Sequence, residues 1–216
     1  MLLDVSETRL ERELRAKPRP TPVDALALAR RRWLAGERLD MGALAKELGV
    51  SRATLYSWVG SRERLIGEVL WSFAEQGLRQ AREAARGTGA AYIVDVFRRF
   101  IHLNAGFAPL RRFVEQDPEL ALRVLTSKNS PVQGRMIAAS RQLLAEQVER
   151  DALQLALGID TLAYTLIRVA ESFLYRDVIA GSDPDVDRAV EVVRVLLNAQ
   201  PPPEAPLRRG RRGAKR

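Results

Sequence analysis

One run, LDMGALAKELGVSRATLYSWVGSRERL from Leu39 to Leu65, constrains this chain more than any other feature. Met41, Leu44, Ala45 and Leu48 form one apolar stripe at helical spacing, and Asp40 stands where an N-cap belongs. Gly49 follows, the residue that ends a helix in a left-handed turn with no Cβ penalty. Val50 is expected to pack inward, and Ser51 to cap a second short helix, Arg52 to Trp58. In that helix Ala53 and Leu55 can face a core, which leaves Arg52, Thr54, Tyr56 and Ser57 for other work. Gly60 and Ser61 end the unit, and Ser61 can cap the next helix, with Glu63 in its first turn favourable to the dipole. The spacing is that of a helix-turn-helix, whose second helix lies in the major groove of DNA. An ordinary αα-hairpin has the same outline.

Around this run the chain reads as helices throughout. Residues 1–20 are a Pro-interrupted arm, with Arg15, Lys17 and Arg19 as possible DNA contacts and disorder as its expected state off DNA. A helix is expected over 22–35, with Thr21 at its N-cap, Pro22 at N1 and Gly36 at its end. Leu26, Ala29 and Trp33 share its inward face. Arg30, Arg31 and Arg32 point in different directions, so at least one should reach phosphate, with Arg30 the expected contact. A long helix over 62–86 continues the apolar seam through Leu65, Ile66, Val69, Leu70 and Phe73. Further helices are expected over 90–105, 110–115, 118–126 with Asp117 as cap, 131–157, 160–180 and 184–199. No strand-like alternation and no internal repeat occur. The fold class is therefore all-α. Its domains are an arm (1–20), a helix-turn-helix unit (21–66), a larger helical unit (67–200) and a basic tail (201–216).

The net charge of +8 is unevenly placed. Residues 201–216 hold six Lys/Arg against one Glu, residues 1–60 hold eleven Lys/Arg against eight Asp/Glu, and the remainder balances. Basic charge at the helix-turn-helix end is an electrostatic footprint for nucleic acid, although a basic tail also serves simply to solubilise. The start of the chain carries acids among its cations and no apolar core, which is not a secretory signal. There are no cysteines, so disulfides and thiolate metal sites are excluded. With no span of ~18 apolar residues, this fits a cytoplasmic protein.

The exact residues say more than the spacing. Ala45, Leu48, Gly49, Val50, Ser51, Thr54, Leu55 and Tyr56, then Arg62 to Leu65, resemble the signature of TetR-family transcriptional regulators, roughly A-x-x-x-G-V-S-x-x-T-L-Y-x-x-F-x-x-K-x-x-L. Val59 stands where the family usually has Phe. Arg62 stands where it often has Lys and keeps a phosphate-seeking cation. The resemblance covers roughly residues 22 to 70. More narrowly, YSWVGSRERL and RVAESFLYRDVIAG resemble the QsdR-like branch, which points to an acyl or lactone-type effector.

The resemblance implies a bacterial, nucleoid-associated homodimeric repressor on an inverted-repeat operator in double-stranded DNA. Arg52, Thr54 and Ser51 would read base edges, with Arg52 to guanine the leading choice. Arg30, Tyr56 and Arg62 would hold the backbone, and Ser57 and Trp58 complete the expected interface. It also implies two tasks for the later helices. One is dimerisation, for which Leu166, Ala170, Phe173, Leu174, Val192, Val195 and Leu196 are the expected contacts. The other is binding a small apolar or amphipathic effector. Phe97, Phe100, Ile101, Phe107, Phe113, Met136 and Leu143 are its candidate walls, against the more ordinary reading of each as plain core. Tyr164, Arg168, Glu171 and Tyr175 form a polar stripe along one helix. Arg168 and Glu171 could be an ordinary ion pair on a wet face, or Tyr164 and Arg168 could meet an effector's polar head. His102, the only histidine, reads as structural.

No enzyme site emerges. There is neither a GxxxxGK loop nor a GxGxxG, and one histidine without cysteine leaves metal ligation and Cys–His chemistry without their residues. No cofactor is expected. The competing reading is a helical DNA-binding or architectural dimer with no effector.

Overall fold

The structure, a computed structural model, describes residues 19–128 and 130–198, and every regular element among them is a helix. In chain order these are α1 (Pro22–Leu34), α2 (Met41–Leu48), α3 (Arg52–Val59), α4 (Arg62–Ala84), α5 (Gly89–Ala105) and α6 (Ala108–Gln116). They continue with α7 (Pro118–Thr126), α8 (Pro131–Glu149), α9 (Ile159–Leu174), α10 (Arg176–Ala180) and α11 (Val186–Asn198). The arm contacts Arg15 and Lys17 and the tail 201–216 lie outside the described residues, whereas Arg19 is described and exposed.

The chain forms two compact units. The first takes α1–α3, α4 through Gln76, α6, α7 and the start of α8 through Arg135. The second takes the rest of α4, α5, the rest of α8 and α9–α11. The unit holding the helix-turn-helix is thus larger than the 21–66 stretch.

In the first unit the helix boundaries follow from side-chain caps. Thr21 and Asp24 form a reciprocal capping box: the Thr21 hydroxyl accepts from Asp24 N at 3.3 Å, and Asp24 Oδ2 accepts from Thr21 N at 2.8 Å. Asp40 Oδ1 accepts from Ala43 N at 2.7 Å and opens α2. Gly49 closes α2 at φ 68°, with Val50 N donating to Ala45 O and Gly49 N to Lys46 O, the paired bonds of a Schellman motif. Ala25, Leu28, Ala29 and Trp33 of α1, Leu44 and Ala45 of α2, Leu55 of α3 and Leu65, Ile66 and Val69 of α4 are buried. Gly67 lets α4 meet the start of α8, because a Cβ there would lie 2.8 Å from the Pro131 ring. Glu68 and Arg135 close the same contact with two hydrogen bonds, at 2.7 and 2.9 Å.

In the second unit α5, α9 and α11 pack against one another. Ile93, Val96, Ile101, Leu162, Ala163, Leu166, Ala170, Ala189, Val190, Val193 and Leu197 lie in its core, together with Leu143 and Leu144 of α8. Gln147 is buried in this unit, and its Oε1 accepts from Gly89 N at 3.0 Å, satisfying the first turn of α5.

Four expectations need correction. The helix from Pro131 ends at Glu149 rather than 157, because Asp151 turns left-handed at φ 53° and closes a Schellman motif of its own: Asp151 N donates to Val148 O, Ala152 N to Gln147 O. The helix expected over 160–180 is interrupted after Leu174 at Tyr175. Ala53 is exposed, so Leu55 is the one buried residue of α3. On α1 the fully buried positions are Ala25 and Leu28 with Ala29 and Trp33, while Leu26 is half-buried.

Candidate nucleic-acid interface

Helix α3 is short, and one residue, Leu55, anchors it. That anchor leaves Arg52, Ala53, Tyr56 and Ser57 exposed and Thr54, Trp58 and Val59 half-buried. The Ser51 hydroxyl accepts from Thr54 N at 3.0 Å and lies 2.8 Å from the Thr54 hydroxyl, so it is occupied as a cap. The Arg52 side chain, in the first turn, makes no ion pair or hydrogen bond with another described residue. A free guanidinium beside the positive end of a helix dipole is suited to an electronegative partner such as guanine O6/N7 or a phosphate. Ala53 beside it offers a methyl of the kind that packs on thymine, a role hidden by its expected inward position. Lys46, exposed in the last turn of α2, is a further cation that the apolar stripe of α2 could have revealed by leaving it on the opposite face.

Two residues expected to grip phosphate are engaged inside the protein. The Arg30 guanidinium carbon lies 4.7 Å from the centre of the Phe73 ring, a cation–π contact. Arg62 Nε donates to Leu39 O at 2.8 Å, tying α4 to the turn before α2. Arg32 pairs with Glu47, and with Glu37 at 3.4 Å. Of the three consecutive arginines, Arg31 remains exposed, with no ion pair to another described residue. Among the described residues of the helix-turn-helix and its flanking turns, the exposed cations with no ion pair include Arg31, Lys46, Arg52 and Arg64.

The expected effector walls divide between the units. Phe107 and Phe113 belong to the first, in an aromatic cluster with Trp33 and Phe73. Trp33 lies 5.5 Å from Phe73, 6.0 Å from Phe107 and 6.1 Å from Phe113 between ring centres. These two rings buttress α1 rather than joining the others. Ile101 and Leu143 are buried in the second unit, and Phe97, Phe100 and Met136 are half-buried there. Tyr164 is 52% exposed. Arg168 Nη1 lies 2.6 Å from Glu171 Oε2, and Glu171 is buried while Arg168 is not. Burial pushes the Glu171 carboxyl up to about 7 against the opposing pull of Arg168. Tyr175, buried on the same helix line, is pushed up by burial and by Glu171. His102 Nε2 lies 3.1 Å from Asp187 Oδ1 and links α5 to α11.

Two of the expected dimer contacts are covered by their own chain. Leu166 and Ala170 lie in the core of the second unit, because α5 and α11 pack over that face of α9. Phe173, Leu174, Val192 and Leu196 are half-buried, and Val195 is 68% exposed. Among the described residues no helix is long and apolar enough to cross a membrane, and no cluster of His, Cys, Asp or Glu could hold a metal ion.

A helix-turn-helix with an outward, cation-bearing second helix, followed by a unit built of helices alone, defines a DNA-binding regulator of transcription. The family model described as the tetracyclin repressor-like C-terminal domain matches residues 88–198. The chain belongs to the TetR family of transcriptional regulators. It is similar to the R. erythropolis transcriptional repressor QsdR from the TetR family. Identity is 29% over 86% of this chain and 100% of that one, with a TM-score of 0.77. A Rhodococcus sp. RHA1 protein assigned as a transcriptional regulator shares the fold, at 19% identity over 82% of this chain and 95% of that one, with a TM-score of 0.54. A comparison with curated protein sequences gives no match.

Proposed function

We propose that the chain is a repressor that binds an inverted-repeat operator as a homodimer and leaves it when a small apolar or amphipathic effector occupies the second unit. The similar R. erythropolis protein is a repressor. The observation that carries the reading is α3, anchored by Leu55 alone, with Arg52, Ala53, Tyr56 and Ser57 all turned outward.

A helix this short reaches few base pairs, so specificity calls for two copies, roughly 34–36 Å apart along the duplex. Phe173, Leu174, Val192, Val195 and Leu196, with Tyr164, are the side chains left to meet a second copy. Phe97, Phe100 and Met136 are the walls best placed to move apart for an effector, and Arg168 with Glu171 would meet its polar end. An effector acts only through its difference in affinity for the DNA-competent and incompetent arrangements.

The test is the Arg52→Ala variant on a panel of operator sequences, obtained by selection from random duplexes and read by fluorescence anisotropy. A loss of ~1–3 kcal/mol confined to one base pair per half-site is expected. A uniform loss across all sequences would make Arg52 a phosphate contact and remove it as the base reader. Release of the selected duplex by an acyl lactone tests the effector step. An unchanged duplex affinity across a series of apolar and amphipathic compounds would favour a constitutive dimer.

A further inference from the structure

A cleft in the first unit, distinct from α3, opens between the α1–α2 turn, the start of α4 and the α6–α7 corner. Its cavity volume is about 30 Å³, and Trp33, Ile66, Phe113 and Leu120 form an apolar floor. Three guanidinium groups, Arg38, Arg62 and Arg112, stand on its rim. Arg62 Nε donates to Leu39 O at 2.8 Å, and Arg112 Nη2 donates to Leu34 O at 3.0 Å. Each backbone bond uses one of the five N–H donors of a guanidinium. Neither arginine forms an ion pair with a described carboxylate.

The acids of the rim are already engaged. Glu37 lies 3.4 Å from Arg32, and Asp117 lies 3.6 Å from Arg38 while capping α7 through Leu120 N at 3.3 Å. Arg62 and Arg112 therefore face one small space, held in place by carbonyls that neutralise no charge. Pairing a cation with an anion over an apolar floor is worth more than in open water. A cavity of this size is far below the ~300–1,000 Å³ of a drug-sized pocket, which limits the guest to a head group of a few atoms.

We infer that this cleft binds a small oxyanion, of the phosphate or carboxylate kind, between Arg62 and Arg112. A bound oxyanion would join α4 and α6 across the α1–α2 turn and stiffen the frame that carries the helix-turn-helix. The oxyanion is either a free solute or a phosphate of the DNA backbone.

The experiment titrates inorganic phosphate, then acetate, into the full-length protein at constant ionic strength with chloride as the balancing ion. It reads tryptophan fluorescence, since Trp33 lines the cleft, and the thermal midpoint. A saturable fluorescence change and a raised midpoint, both lost in Arg112→Gln and weakened in Arg38→Gln, are expected. Arg38 is 74% exposed, so its variant tests the site without risk to the fold. Duplex affinity of Arg112→Gln separates the sources. Unchanged affinity assigns the site to a free oxyanion, and a uniform loss with phosphate competing against duplex assigns it to the DNA backbone. A response that never saturates, that chloride reproduces, or that persists undiminished in both variants overturns the inference.

Discussion

Glu171→Gln isolates the described carboxyl whose titration is displaced closest to neutrality. In the folded chain this group titrates at about 7, driven by burial, against an ordinary 4.5. The folded state thus holds the proton more tightly than the unfolded state. The group's contribution is fully favourable below about pH 4.5 and is lost as pH rises through about 7. At roughly 1.4 kcal/mol per pH unit, the gap between the two values corresponds to about 3 kcal/mol. Glu171 is 8% exposed, so solvent screening removes little of it. Glutamine keeps the shape and stays neutral. Urea denaturation at fixed protein concentration, from pH 4 to 8.5, should show wild type and variant close together at the acid end. The variant should be more stable by about 3 kcal/mol at the alkaline end. A difference that is constant across the range would mean that Arg168 keeps Glu171 ionised throughout, and the burial argument would fail.

Four other outcomes follow from local geometry. Gly89→Ala should be severely destabilising, by roughly 3 kcal/mol or more in urea, because its Cβ would sit 1.9 Å from Ala152 O at φ 56°. Its control, Gly134→Ala in the open face of α8, has nothing within 4 Å and should stabilise by ~0.5–1 kcal/mol. Asp151→Gly should raise and Asp151→Val lower the thermal stability, by roughly 1 kcal/mol each way, since the site demands φ 53°. Burial pushes Asp95 up, but hydrogen bonds from Arg99, Arg98 and the Arg86 N–H together outweigh it and hold the carboxyl at about 2. Asp95→Asn should therefore weaken the protein at neutral pH, and the difference from wild type in acid titration should vanish as pH falls from about 4 towards 2.

The helix-turn-helix was legible because its boundaries are written in side chains that act on their own backbone. Thr21, Asp40 and Ser51 each accept a hydrogen bond from an N–H three residues on, and Gly49 is the one residue without a Cβ to oppose its turn. Where the same work falls to an unexpected residue the signal disappears. Asp151 ends α8 in a left-handed turn that glycine usually makes, and no proline or glycine marks the break at Tyr175.

Contacts between distant elements were hidden for a different reason. Charge can be read from Arg30 and Arg62, but the Phe73 ring and the Leu39 carbonyl that hold them are brought near only by the fold. An apolar stripe shows that α9 has a face to cover. It does not show that α5 and α11 of the same chain cover Leu166 and Ala170. Likewise, Phe107 and Phe113 announce apolar packing without saying which unit they join.

The three tryptophans of the chain, Trp33, Trp58 and Trp71, all precede Gln76 and fall in the first unit. Indole emission excited at the red edge is thus a built-in label for that unit, while tyrosines Tyr92, Tyr164 and Tyr175 belong to the second. Trp33 sits in the aromatic cluster, Trp58 near the end of α3, and Trp71 under the Arg135 guanidinium. A melting curve followed by indole emission reports the first unit, and one followed by helical circular dichroism reports the helices of both. Coincident curves would show the units unfolding as one. Separated curves would give the stability of the reading head directly, with no dye and no added mutation.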